Sequence, residues 1–126
     1  MNFQFFQNPY FIFGLLIRLS LVYISTPTLI ENLYLPFLET SINNISINHW
    51  NNWLKSDGSV LAFPYGYVMW IIFFTPIFFL NLLKIDILIS YWIVILIFDL
   101  VFLFLLSHLF SIKKNRLLII YWLSPI

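Results

Sequence analysis

The sequence predicts an all-α integral membrane protein, built from transmembrane helices and from juxtamembrane amphipathic helices on the outer face. Hydrophobic residues make up 62% of the 126 residues and charged residues 9%, whereas soluble domains average about 45 to 50% and about 25%. A chain this short cannot hide so much apolar surface from water, because small domains bury the smallest fraction of their area. The net charge of +1 excludes a nucleic-acid partner attracted by bulk charge, and the absence of cysteine excludes thiolate chemistry.

Two stretches are long enough to cross a bilayer, which requires about 20 mostly apolar residues. Residues 10–30 begin directly after Pro9, a residue type that favours the start of a helix. No positive charge precedes them and no small-residue cleavage site follows, so they form an anchor and not a cleavable signal peptide. Residues 87–110 are the stronger span, and a basic run from Lys113 to Arg116 follows them.

A third apolar stretch, residues 63–83, leaves two topologies open because it nearly reaches spanning length but contains two prolines and a glycine. The positive-inside rule places the basic run 113–116 in the cytoplasm. We expect residues 63–83 to form an interfacial or re-entrant helix, so that the N-terminus is cytoplasmic and residues 31–86 are outside. If residues 63–83 cross as well, the N-terminus and the basic run lie on opposite sides.

The outer loop, residues 31–62, is the only water-compatible part of the chain and is rich in asparagine. Its apolar residues recur at mixed helical spacings, which indicates short amphipathic helices lying flat on the membrane. Trp50 and Trp53 are three residues apart and so share one helix face. They form either an ordinary interfacial aromatic belt or a wall of a groove for an acceptor or lipid carrier.

Two ionisable residues, Arg18 and Asp99, fall inside the predicted spans, where charges are costly and usually face the protein interior. Arg18 lies about 12 Å from the start of its helix, so it either snorkels to the inner headgroups or faces inward. Asp99 sits near the centre of its span, and its short side chain cannot reach water. We therefore expect Asp99 to be structural and to have a hydrogen-bonding or ionic partner within the protein.

The order of these segments resembles the N-terminal part of multi-span glycosyltransferases of the GT-C superfamily. An arginine-bearing first span and an outer loop with carboxylates lead to Phe63-Pro64-Tyr65-Gly66, which is similar to the element that opens the family's second juxtamembrane helix. Phe98-Asp99-Leu100 matches the family's Ala-Asp-Leu position, and Trp122-Leu123-Ser124-Pro125 is similar to its Trp-Leu-Asn-Pro motif. The resemblance covers nearly the whole chain.

The resemblance implies transfer of a sugar from a polyprenyl-phosphate donor to a lipid-linked or cell-envelope acceptor at the outer face. It implies Glu31 and then Asp57 as candidates for the catalytic base, and Trp50, Trp53 and Tyr65 as substrate-binding residues. Glu31 is followed by Asn32-Leu33 in place of the family's paired acid. No cofactor is implied with certainty, although a divalent metal in the full-length enzyme is compatible with the resemblance.

The expected location is a multi-pass position in the inner or plasma membrane, with the lipid bilayer and a polyprenyl-linked sugar donor as partners. Residues 117–126 start a further span and stop after about half of a crossing, so we expect a fragment whose parent chain supplies the remaining transmembrane helices. The alternative is a non-enzymatic small membrane subunit or an inactive fragment.

Overall fold

A computed structural model describes residues 6–24, 26–109 and 114–124 of the chain. Within these ranges every regular element is helical and no strand occurs, which confirms the predicted all-α class. The six α-helices are α1 (Pro9–Ile24), α2 (Leu35–Asn43), α3 (His49–Lys55), α4 (Gly66–Leu82), α5 (Ile87–Leu109) and α6 (Lys114–Leu117). A π-helical turn at Ile30–Tyr34 leads directly into α2, and a second at Leu118–Trp122 continues α6.

The first helix is shorter than the span predicted at residues 10–30. It begins at Pro9 and ends at Ile24, and the next helical turn starts where the Pro27 carbonyl accepts hydrogen bonds from the N–H groups of Ile30 and Glu31. Pro27 has no N–H to donate and disfavours helical geometry in the residue before it, which favours an end of the first helix before this position. Ser25, within the predicted span, lies outside the described residues.

Helix α5 covers the stronger predicted span almost completely, from Ile87 to Leu109, and Phe110 lies outside the described residues. Its 23 residues extend about 34 Å at 1.5 Å per residue, enough for a hydrocarbon core of about 30 Å. Of the described helices it alone is both long and apolar enough to cross a membrane, and 22% of its most apolar window is buried within the protein. The core helix of a soluble protein is mostly buried, so this exposure favours a lipid-facing helix.

Helices α1 and α4 are apolar but shorter, at 16 and 17 residues, and α4 contains Pro76. Their lengths therefore do not support a multi-pass topology. Of the predicted basic run, Lys113 lies outside the described residues, as do Pro125 and Ile126 at the end of the last predicted span.

The chain divides into two compact units, Thr26–Ile95 and a second formed by Met1–Ser25 with Leu96–Ile126. The core of the first unit is aromatic: Phe37 and Phe63 are almost fully buried and stack with ring centroids 5.6 Å apart, while Ile77 of α4 is fully buried beside them. The core of the second unit is formed by Phe11, Leu103, Leu117, Leu118 and Trp122. Each unit positions one group of candidate functional residues.

Candidate functional site

A buried ion pair joins Arg18 of α1 to Asp99 of α5. The Arg18 Nε donates to Asp99 Oδ2, and the two side chains are only 9% and 12% exposed. The other carboxylate oxygen, Asp99 Oδ1, accepts a hydrogen bond from the Tyr121 hydroxyl. Asp99 therefore has the protein partners that its position in the sequence requires, and Arg18 faces inward and does not snorkel.

The other guanidinium nitrogens of Arg18 bind the end of the second π-helical turn. Nη1 donates to the carbonyl of Trp122, and Nη2 lies 3.5 Å from the carbonyl of Tyr121. Carbonyls at the end of a helix lack intrahelical partners, so Arg18 satisfies groups that would otherwise be unpaired. Its guanidinium carbon also lies 4.0 Å from the centroid of the Trp122 ring, within the range of a cation–π interaction.

Gly14 allows Trp122 to approach α1 closely. A Cβ at Gly14 would collide with the Trp122 ring and would lie 2.8 Å from its carbonyl oxygen. The indole Nε1 donates to the Phe11 carbonyl at 2.8 Å, and the indole stacks on the Phe11 ring with centroids 5.2 Å apart. Close packing at Gly14 therefore brings the C-terminal turn within reach of Arg18.

The predicted substrate-binding aromatics have different environments in the first unit. The Trp53 Nε1 donates a hydrogen bond to the Ser59 carbonyl at 2.8 Å, and the Trp53 ring occupies the space that a Cβ at Gly58 would need. Trp53 therefore packs against the turn that follows α3. Trp50 is half-buried and its ring centroid is 4.6 Å from that of Tyr67. Tyr65 is 56% exposed and is the most accessible of the three predicted residues.

The two carboxylates predicted as catalytic candidates are both exposed. Glu31 lies on the first π-helical turn, and Asp57 follows α3 in a left-handed conformation with φ 58°. A third acid, Glu39, lines a cavity at the end of α2. The three acids therefore lie on three different elements.

The turn that carries Glu31 is joined to the segment Phe63-Pro64-Tyr65-Gly66. The Tyr34 and Tyr65 hydroxyl oxygens are 3.2 Å apart, and the Tyr34 ring lies edge-on to that of Phe63 with centroids 5.8 Å apart. The hydrogen bond to Tyr65 raises the pKa of Tyr34 above its usual value, and burial raises it further. Two segments that are separate in the sequence thus form one aromatic rim.

His49 is a buried polar residue of the first unit and is not among the predicted site residues. It is 3% exposed, and its ring lies over Trp70 with centroids 4.1 Å apart and beside Phe74 at 5.8 Å. No described residue supplies a hydrogen bond to its Nδ1. Burial disfavours the charged imidazolium and lowers the pKa of His49 below its ordinary value. In the sequence, the one feature that points to this burial of His49 is its position beside Trp50 at the start of α3.

The described residues contain no group of three or more His, Asp or Glu side chains placed to hold a metal ion. Comparison with protein-family models, with curated proteins and with solved structures finds no match for this chain.

Proposed function

We propose that this chain is the N-terminal portion of a GT-C-type membrane glycosyltransferase, which moves a sugar from a polyprenyl-phosphate donor to a lipid-linked or cell-envelope acceptor. In this proposal the protein is a multi-pass protein of the inner or plasma membrane, and α5 crosses the bilayer. The first unit then lies at the outer surface, with α4 along or dipping into the interface.

The observation that carries the proposal is the contact between the Glu31 turn and the Phe63-Pro64-Tyr65-Gly66 segment. The motif resemblance assigns both segments to one site, and the Tyr34–Tyr65 hydrogen bond joins them. Glu31 is exposed beside this rim, so an acceptor could reach its carboxylate. Asp57 lies on the turn after α3 and is ranked second because no comparable contact of its own links it to this segment.

Glu31 serves as the general base in this proposal. Its carboxylate takes the proton of an acceptor hydroxyl while the hydroxyl oxygen attacks the anomeric carbon of the sugar. The bond from that carbon to the phosphate oxygen breaks, and the polyprenyl phosphate leaves with the electron pair. An acceptor that excludes water from Glu31 would make the carboxylate a stronger base, because desolvation disfavours its charged form.

The test replaces Glu31 by Gln and Asp57 by Asn in the full-length parent enzyme and measures sugar transfer from a polyprenyl-phosphate donor. Loss of a general base costs about a hundredfold to ten-thousandfold in turnover, and we expect this loss for Glu31→Gln with unchanged expression. Lys55→Gln removes a charge from an exposed position on α3 and serves as the control. Full turnover in Glu31→Gln would show that Glu31 is not the base.

The second candidate function is a non-enzymatic membrane subunit, and one surface feature favours it. A shallow apolar groove of about 660 Å³ runs along α1 and is lined by Pro9, Tyr10, Ile12, Phe13, Leu16 and Leu123. Such a groove suits packing against another apolar helix. Absence of sugar transfer by any chain that contains this sequence, together with stable co-purification of a membrane partner, would favour the subunit.

A further inference from the structure

A polar cavity of about 300 Å³ lies within the first unit, apart from the Glu31 rim. It is bounded by the C-terminal ends of α2 and α4, by the short connection between α4 and α5, and by the first residue of α5. Its lining residues are Glu39, Ile42, Asn43, Asn81, Lys84, Ile85, Asp86 and Ile87. The cavity therefore lies where the membrane-length helix α5 begins.

The polar side chains of this cavity are available for a ligand. Glu39, Asn43, Asn81 and Lys84 are all exposed, and no side-chain hydrogen bond or ion pair joins any of them to another described residue. Polar side chains that line a concave site and lack internal partners can bind a polar ligand.

Hydrogen bonds of the backbone fix the main chain at Lys84 and the carboxylate of Asp86. Lys84 closes α4 in a left-handed conformation with φ 60°, and its N–H donates to the Asn81 carbonyl at 2.8 Å. Asp86 Oδ1 accepts from the N–H of Leu88 at 2.8 Å, which fixes this carboxylate at the start of α5. The Asp86 carboxylate is thus fixed two residues along the chain from Lys84.

The charges favour a zwitterionic ligand. The cavity presents one ammonium, Lys84, and two carboxylates, Glu39 and Asp86, so its charges of both signs are complementary to a ligand that also carries both signs. A molecule that carries both a phosphate and a primary amine can pair with both signs. In addition, the ends of α2 and α5 at this cavity carry partial charges of opposite sign.

We propose that this cavity binds the headgroup of a phospholipid that carries a primary amine, such as phosphatidylethanolamine. The phosphate pairs with Lys84, the ammonium with Glu39 and Asp86, and the apolar side chains of Ile42, Ile85 and Ile87 face the glycerol and acyl portion. This proposal rests on the membrane placement of α5 and not on sugar transfer. The start of a membrane-spanning helix lies at headgroup level, where such a ligand is present.

The first test measures calorimetric binding of short-chain lipids to the purified chain in detergent micelles, with no sugar donor present. We expect phosphatidylethanolamine to bind about fivefold to tenfold more tightly than phosphatidylcholine, whose quaternary ammonium has no N–H to donate, or phosphatidylglycerol, which has no cation. Free phosphoethanolamine should bind more weakly than the lipid because it lacks the apolar portion. Equal affinity for all three lipids would overturn the proposal, and equal affinity for free phosphoethanolamine and the lipid would overturn the assignment to a lipid.

The second test changes the cavity. Glu39→Gln and Lys84→Asn should each reduce the preference for phosphatidylethanolamine to about twofold or less, and Asn is chosen at residue 84 because it tolerates the left-handed conformation. Lys55→Asn, on α3, is the matched control and should retain the full preference, as should Glu31→Gln. Circular dichroism melting establishes that each variant is folded. If folded Glu39→Gln and Lys84→Asn both retain the preference, the cavity is not the headgroup site.

Discussion

Removing both partners of the Arg18–Asp99 pair should destabilise the protein no more than removing one of them. Each side chain is about nine-tenths buried, and a buried charge left without its partner costs about 3 to 5 kcal/mol. Arg18→Met and Asp99→Leu should therefore each lower the free energy of unfolding by that amount. If the two effects were independent, the double variant would lose about 6 to 10 kcal/mol. We expect a loss of about 3 to 5 kcal/mol, because neither charge remains to be compensated.

The assay is equilibrium unfolding in mixed micelles, followed by far-ultraviolet circular dichroism, for the wild type and all three variants. Asp99→Asn adds a comparison with Asp99→Leu: the amide oxygen still accepts from Tyr121, so we expect this variant to be more stable than the leucine variant by about 1 to 3 kcal/mol. Arg116→Met, at an exposed position, is the control and should change stability by less than about 0.5 kcal/mol. Single effects that add within about 0.5 kcal/mol would refute the coupling between Arg18 and Asp99.

Three further predictions concern packing, pH and topology. Gly14→Ala should lower the free energy of unfolding by about 1 to 3 kcal/mol, because its Cβ would lie 2.8 Å from the Trp122 carbonyl oxygen; an unchanged denaturation midpoint would contradict this close approach. The free energy of unfolding should fall as pH drops below about 6.5, because burial lowers the pKa of His49 and the unfolded state then binds a proton that the folded state does not. His49→Phe should lose this part of the pH dependence. An unchanged pH profile in that variant would show that His49 is not its source. In the otherwise cysteine-free chain, a membrane-impermeant thiol reagent added outside should modify a cysteine at Asn51 and not one at Asn115. The reverse would mean that the N-terminus is outside, and the same result at both positions would mean that residues 63–83 cross.

Local features were predictable from the sequence because they depend on neighbouring residues. The long apolar run at residues 87–110 predicts the bounds of α5 closely, and the depth of Asp99 within that run implies a hydrogen-bonding or ionic partner for its carboxylate. The end of α1 was misplaced because the predicted span extends over the polar run Ser25-Thr26-Pro27-Thr28, where Pro27 lacks the N–H of a regular helical hydrogen bond. Composition measures apolar length, whereas the backbone determines where a helix stops.

Long-range pairings were not predictable in the same way. Nothing near Arg18 in the sequence distinguishes a snorkelling arginine from a paired one, because its partner lies 81 residues away. The same applies to the candidate site: Tyr34 meets Tyr65 across 31 residues, and Trp53 is committed to its own turn by a contact with Ser59. Helix-face periodicity groups residues within one helix, but the contacts between helices depend on the tertiary fold.

The separation of Arg18 from Asp99 also affects the order of events during synthesis. At about 5 to 20 residues per second, the ribosome needs roughly 4 to 16 seconds to extend the chain by the 81 positions from Arg18 to Asp99. Throughout that interval Arg18 cannot form the ion pair that it has in the folded structure. The network also requires Tyr121 and Trp122, which follow Asp99 in the sequence. The contacts that Arg18 makes from α1 can therefore all form only after residues 99–122 have been translated.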